Sequence, residues 1–108
     1  MWGALEAGRP MPFVLEFTQS ALDDLAHFRK YEQTLIVDQI EIQLSYEPAV
    51  QTRNRKPLEE SELAEWELRI GDYRVFYDVN RAGASVKVKA IGYKEHGTFY
   101  LRGKEYDL

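Results

Sequence analysis

An α+β fold of order β-α-α-β-β-β, an antiparallel sheet with a helical hairpin packed on one face, is what three features of the sequence predict. The stretch FVLEF at 13–17 alternates and is rich in strand formers. Two runs with apolar residues at helical spacing follow it, separated by a short join. Three more alternating runs then fill residues 65–93, divided by turn-forming residues, and three short-linked strands make a meander that helices must cover.

Each element has its local reason. Residues 1–11 read as a flexible extension, because Gly3, Gly8 and Pro10 break any regular pattern; residues 12–108 read as one domain. After the first strand, Thr18 or Ser20 can cap a helix, and Ser20 with Asp23 has the capping-box spacing. Ala21, Leu22, Leu25 and Phe28 form its apolar stripe. A second helix over 31–46 carries Leu35, Ile36, Ile40 and Leu44, and Pro48 ends it. Residues 47–64 form a polar loop, basic in its first half (Arg53, Arg55, Lys56) and acidic beyond Pro57 (Glu59, Glu60, Glu62, with Glu65 just after). Strands follow at 65–70, 73–79 and 86–93, joined by Gly71-Asp72 and by Asn80-Arg81-Ala82-Gly83. The tail from Gly97 is too irregular to assign.

Strict alternation sorts the strand residues onto two faces. Trp66, Leu68, Ile70, Tyr73, Val75, Tyr77, Val79, Val86, Val88 and Ala90 are expected under the helices. Glu65, Glu67, Arg69, Arg74, Phe76, Asp78, Lys87, Lys89, Ile91 and Tyr93 are expected on an open face of mixed charge.

Composition narrows the function. The chain has 108 residues, 44% of them hydrophobic, with no Cys, two His and a formal net charge of -4. No apolar run reaches the roughly 18 residues that cross a membrane. The start, MWGALEAGRPMP, has neither the charged head nor the apolar block of a secretory signal, so a cytoplasmic location is expected. An acidic total argues against nucleic-acid binding unless the cations cluster. No thiolate or histidine metal site can be assembled, and no Gly-rich phosphate loop, HExxH, GxSxG or CxxC is present; no cofactor is expected.

Three groups of residues could carry chemistry. Glu67, Arg69 and Arg74 share one face of neighbouring strands, which makes either a solvated face with cross-strand ion pairs or an anion site matched to phosphate oxygens. The run YKEHGTFY gathers Lys94, Glu95, His96 and Tyr100; His96 is a general acid–base candidate, or part of an ordinary polar strand end. The loop RNRKP offers Arg53, Arg55 and Lys56 to a phosphate backbone, or is neutralised by its own acidic half. His27 reads as a surface residue.

The order of elements, together with LRIGDYRVFYDV followed by VKVKAIGYKE, resembles the RelE/ParE superfamily of bacterial toxin–antitoxin toxins over about residues 13–100. RelE-like members cut messenger RNA in the ribosomal A site without metal, through attack of the 2′-hydroxyl on the adjacent phosphorus; ParE-like members keep the fold and poison DNA gyrase. The resemblance implies that Arg74 stabilises charge at the scissile phosphate and that Lys94 takes the place of an arginine there. It implies Tyr100 or His96 as acid, Glu67 or Lys56 assisting the base, and Arg53, Arg55, Lys56 and Arg69 as RNA-binding cations. Glu65 and Glu67 stand where RelE proper has two lysines. The expected partners are a cognate antitoxin, the ribosome and its mRNA, with operator DNA reached only through the antitoxin and no membrane. The alternatives are a gyrase poison, or a relic that only binds its antitoxin.

Overall fold

The computed structural model describes residues 11–107, so the expected extension lies outside the described residues except for Met11. Strand β1 (Val14–Phe17) leads into helices α1 (Gln19–Ala26) and α2 (Lys30–Leu44). Strands β2 (Arg55–Pro57), β3 (Trp66–Ile70), β4 (Tyr73–Asn80), β5 (Ser85–Glu95), β6 (Thr98–Leu101) and β7 (Lys104–Glu105) follow. The sheet runs β2-β3-β4-β5-β6-β7 with every pair antiparallel, and β1 lies parallel to the first half of β5. Since β4 occupies one edge of β5, β1 and β6 share the other edge end to end, β1 on residues 85–88 and β6 on 93–95.

Of the two possible caps, Thr18 is the one used: its Oγ1 accepts from Ala21 N at 3.1 Å. At the head of α2, Glu32 reaches back to accept from Arg29 N at 3.1 Å. The helices bury Ala21, Ile36, Ile40 and Leu44 against Leu68, Ile70, Val75, Tyr77, Val86, Val88 and Ile91. Each large aliphatic in that set contributes roughly 1.5–3 kcal/mol by burial.

The opposite face departs from strict alternation. A bulge shifts the register between Phe76 and Tyr77: Phe76 opposes Ala90 while Tyr77 opposes Val88, which leaves Lys89 as the extra residue. One inserted residue inverts everything after it. Ile91 and Tyr93, expected on the open face, therefore turn toward the helices, and Ala90 turns away. There it joins Phe76, Ala64, Phe99 and Leu101 in a second core, with Leu58 and Leu63 packed against it. Phe76 is fully buried rather than open. The segment 58–64 and β6 cover the centre of a face that alternation leaves exposed.

Three strands were absent from the expected order. β2 arises inside the polar loop because Arg55 is drawn under it. The unassigned tail folds as two hairpins whose turns, His96-Gly97 and Arg102-Gly103, hold both residues at positive φ (51° and 81°, 55° and 77°). Between β5 and β6 the approach is tight at Gly92, where an added Cβ would lie 2.4 Å from the Tyr100 carbonyl oxygen and 2.7 Å from the Phe99 ring.

Two outcomes follow for stability. Gly92→Ala is expected to push β6 from β5 and cost about 2 kcal/mol or more, read as a lowered urea midpoint. Tyr73 donates to Glu32 Oε2 at 2.6 Å; burial, reinforced by that carboxylate, pushes the phenol up to about 12, and the same bond holds Glu32 below the usual carboxylate range. A pKa raised on folding gives stability that is complete below the ordinary tyrosine value and lost as pH rises through the raised one. The urea midpoint should therefore fall between pH 10 and 12, and fall less in Tyr73→Phe.

Candidate functional site

Register on the second face assembles a compact group of charges. Lys56 opposes Glu67 across β2 and β3, Arg69 opposes Arg74 across β3 and β4, and Lys94 opposes Phe99 across β5 and β6. Lys56, Glu67, Arg69, Arg74, Lys94 and Phe99 line a depression of about 160 Å³. Opposite Arg74 stands Gly92, and the Phe99 ring occupies the space that a side chain there would take.

Glu67 is 5% exposed, with Lys56 Nζ 3.9 Å from its Oε2. Arg74 is 8% exposed. Its Nη1 donates to Gly71 O at 2.6 Å and Tyr73 O at 2.9 Å, so the turn between β3 and β4 holds the guanidinium by two carbonyls. The three N–H groups of Nε and Nη2 keep the fork that fits phosphate. Burial, and then the Arg69 guanidinium, pull the Arg74 pKa down from the arginine range, while Glu67 and Asp72 pull it up; arginine stays charged throughout. Four cations around one carboxylate make a local positive surplus in a chain of net charge -4. In a partly dry site such a group can hold an oxyanion and offer Glu67 as a proton acceptor.

Other residues singled out in the sequence lie elsewhere. Tyr100 is on the helix-facing side of the sheet, opposite Tyr93, with the rings stacked at 5.2 Å and 19°. His96 is exposed in the β5–β6 turn, where its positive φ gives it a conformational role, histidine being one of the residues that tolerate that region. Arg55, expected among the RNA-binding cations, is buried opposite Leu68, donating from Nη1 to Gln43 O at 2.5 Å and from Nε to Val50 O at 3.1 Å. It closes the loop onto the C-terminal turn of α2, whose carbonyls need such a donor. Arg53 is exposed in the loop just before β2, outside the depression. Glu65 is occupied at the far end of β3, its N–H donating to Asp78 Oδ1 at 2.8 Å.

Phe99 was missed in the sequence. The signal that finds it is His96-Gly97 read as a two-residue hairpin turn, which sets Phe99 opposite Lys94 on the depression side. Among the described residues no group of three or more His, Cys, Asp or Glu is placed to hold a metal ion.

A family model described as the ParE toxin of type II toxin–antitoxin system, parDE, matches residues 15–96. No curated protein matches. Among solved structures, the chain is similar to one in the RelBE2 toxin–antitoxin complex of Mycobacterium tuberculosis, at 24% identity and a TM-score of 0.69, covering 80% of this chain and 95% of that one. It is similar also to one in the archaeal RelE–RelB complex of Pyrococcus horikoshii OT3, at 23% identity and a TM-score of 0.63, covering 80% and 99%. Both share the arrangement of two helices on an antiparallel sheet.

Two arginines of one loop-and-strand region should separate in experiment. Arg55→Ala strands two part-buried carbonyls, Gln43 O and Val50 O, and is expected to lower unfolding free energy by about 1–3 kcal/mol. Arg69→Ala, an exposed change, should leave the urea midpoint within about 0.5 kcal/mol of wild type while weakening phosphate binding measured by calorimetry.

Proposed function

The chain belongs to the family of ParE toxins of type II toxin–antitoxin systems, within the RelE/ParE superfamily, and on that premise we propose that it is an endoribonuclease that cuts mRNA on the ribosome without metal, held inactive by a cognate antitoxin. The observation that carries this reading is the depression in which Arg69, Arg74, Lys56 and Lys94 surround the carboxylate of Glu67.

In the proposed reaction, Glu67 accepts the proton of a ribose 2′-hydroxyl as its oxygen attacks the adjacent phosphorus. Arg74 and Arg69 stabilise the charge that builds on the non-bridging oxygens, the term that is usually largest in such a step. The bond from phosphorus to the 5′-oxygen breaks, and that oxygen takes a proton from Lys94, the exposed ammonium at the rim. The products are a 2′,3′-cyclic phosphate and a 5′-hydroxyl. His96 and Tyr100 drop out as acids because they lie outside the depression. Lys56, 3.9 Å from Glu67, holds the carboxylate in place. The ribosome supplies the single-stranded substrate, so the site of action is the cytoplasm. Operator DNA is reached only through the antitoxin. Among the described residues no helix is long and apolar enough to cross a membrane.

A second reading, a gyrase inhibitor that acts by binding alone, is favoured by one observation: carboxylates at Glu65 and Glu67 stand where the ribonuclease resemblance calls for lysines. Purified toxin in a reconstituted translation system separates the two. Ribosome-dependent cleavage by wild type is expected, reduced about 10²-fold or more in Arg74→Ala and in Glu67→Gln. Intact mRNA with accumulation of linear DNA in a gyrase assay selects the second reading. Intact mRNA and unaffected gyrase select a protein that only binds its antitoxin.

A further inference from the structure

A cavity of about 720 Å³ lies on the helix side of the β5 end and is not part of the Arg74 depression. The two meet at Lys94, which lines both. Its walls combine two chemistries. One is aromatic: Phe28 packs edge-on against Tyr73 at 5.5 Å and against Tyr93 at 6.3 Å, and Tyr31, at the first turn of α2, is 67% exposed at the mouth. The other is a set of hydrogen-bond acceptors. Glu32 stands at the wall. Deeper lies Asp24, 2% exposed, whose Oδ2 accepts from Ile91 N at 3.0 Å. Its Oδ1 has Arg102 Nε at 2.7 Å as an ion-pair neighbour, yet no hydrogen bond of good direction.

An exposed ring beside a carboxylate suits a flat, π-faced ligand with N–H donors on its edge: Glu32 already accepts from Tyr73 at Oε2 and from Arg29 N at Oε1, and each oxygen has a second lone pair to offer. Among the parts of a single-stranded RNA, that is an unstacked base with an exocyclic amino group. The volume falls within the range of small-molecule sites and exceeds what one base fills. A phosphate at the cation cluster and a base in the cavity would both border Lys94, which lines the two spaces.

We propose that this cavity seats a nucleobase neighbouring the bound phosphate, and that it selects adenine, cytosine or guanine over uracil. Tyr31 provides the stacking surface and Glu32 accepts from the amino group, while Asp24 lies behind Arg102. Uracil carries no exocyclic amino group, so it offers the carboxylate only the N3–H between its two carbonyl oxygens. The source of the base as substrate RNA rests on the ribonuclease reading above; nucleotide binding by the isolated toxin does not.

The test is a heteronuclear NMR titration of the full-length toxin with AMP, CMP, UMP and ribose 5-phosphate. AMP and CMP are expected to shift the amides of Tyr31, Glu32 and Tyr93 as well as those of Arg69 and Arg74, whereas UMP and ribose 5-phosphate move only the latter pair. Tyr31→Ala, an exposed change that spares the fold, should weaken AMP about tenfold and leave ribose 5-phosphate unaltered, in keeping with the loss of one stacking partner. Glu32→Gln should narrow the difference between AMP and UMP. Equal affinity for all four ligands, or shifts confined to the cation cluster, overturns the proposal. So does a cavity whose amides respond to N-acetylarginine amide and to no nucleotide, which would mark it as a seat for a basic peptide. Shifts as expected together with intact mRNA on the ribosome would keep this site and remove the ribonuclease reading alone.

Discussion

A single unpaired residue in β5 governs how the molecule is laid out. The bulge at Lys89 inverts the strand, so that Val86 and Val88 before it and Ile91 and Tyr93 after it all face the helices. Lys94 consequently points to the opposite side, into the company of Arg74 and Glu67. Were the strand regular, Tyr93 would occupy the depression and Lys94 the core, which a charged side chain does not tolerate unpaired. The bulge is pinned from the helix side. Thr18 donates from its backbone N to Val88 O at 3.0 Å and from its hydroxyl to Lys89 O at 3.3 Å, and Asp24 accepts from Ile91 N. The residue that caps α1 thus also fixes the irregularity in the sheet, and the hydrogen bond from Ile91 N to Asp24, whose pKa burial pushes upward against the pull of Ile91 N–H and Arg102, helps hold β5 in place.

Arginine does structural and electrostatic work at once in this fold. Arg55 closes the loop on α2, Arg74 ties the β3–β4 turn to itself, and Arg102 brings the β6–β7 turn to Asp24. Each uses part of its five-donor fork on the protein's own oxygens. Only Arg74 among the three also borders the cation cluster. That sharing explains how an acidic chain assembles a positive depression: the cations are concentrated by strand register, and acidic residues such as Glu65 and Asp78 are spent at the far end of the same strands.

Much of the fold was legible in the sequence because it depends on local chemistry. The first strand, both helices, the meander of three strands and the Gly71-Asp72 turn follow from periodicity and turn residues, and Arg69, Arg74 and Glu67 share a face by parity alone. The rest was not legible because it depends on contacts between distant segments. Nothing local in RNRKP distinguishes a solvated basic loop from an edge strand with Arg55 buried beneath it. His96 looked chemical because histidine titrates near neutrality, yet its backbone conformation in a two-residue turn accounts for its place. Tyr100 looked aligned with the phosphate site, and one step of strand parity puts it on the opposite face.

By itself, then, the sequence determined the layering of helices on sheet, the face carried by β3, by β4 and by the first half of β5, and the residue types available for binding an anion. Tertiary structure alone decided that the other face is half covered by a second core, that Lys56 and Lys94 join Arg74 while Tyr100 and His96 do not, and that a cavity opens beside them. The physical reason is the period of a β-strand. With side chains alternating every residue, one bulge held by Thr18 and Asp24 from a separate helix reverses every assignment beyond it, and no pattern within the strand announces the reversal.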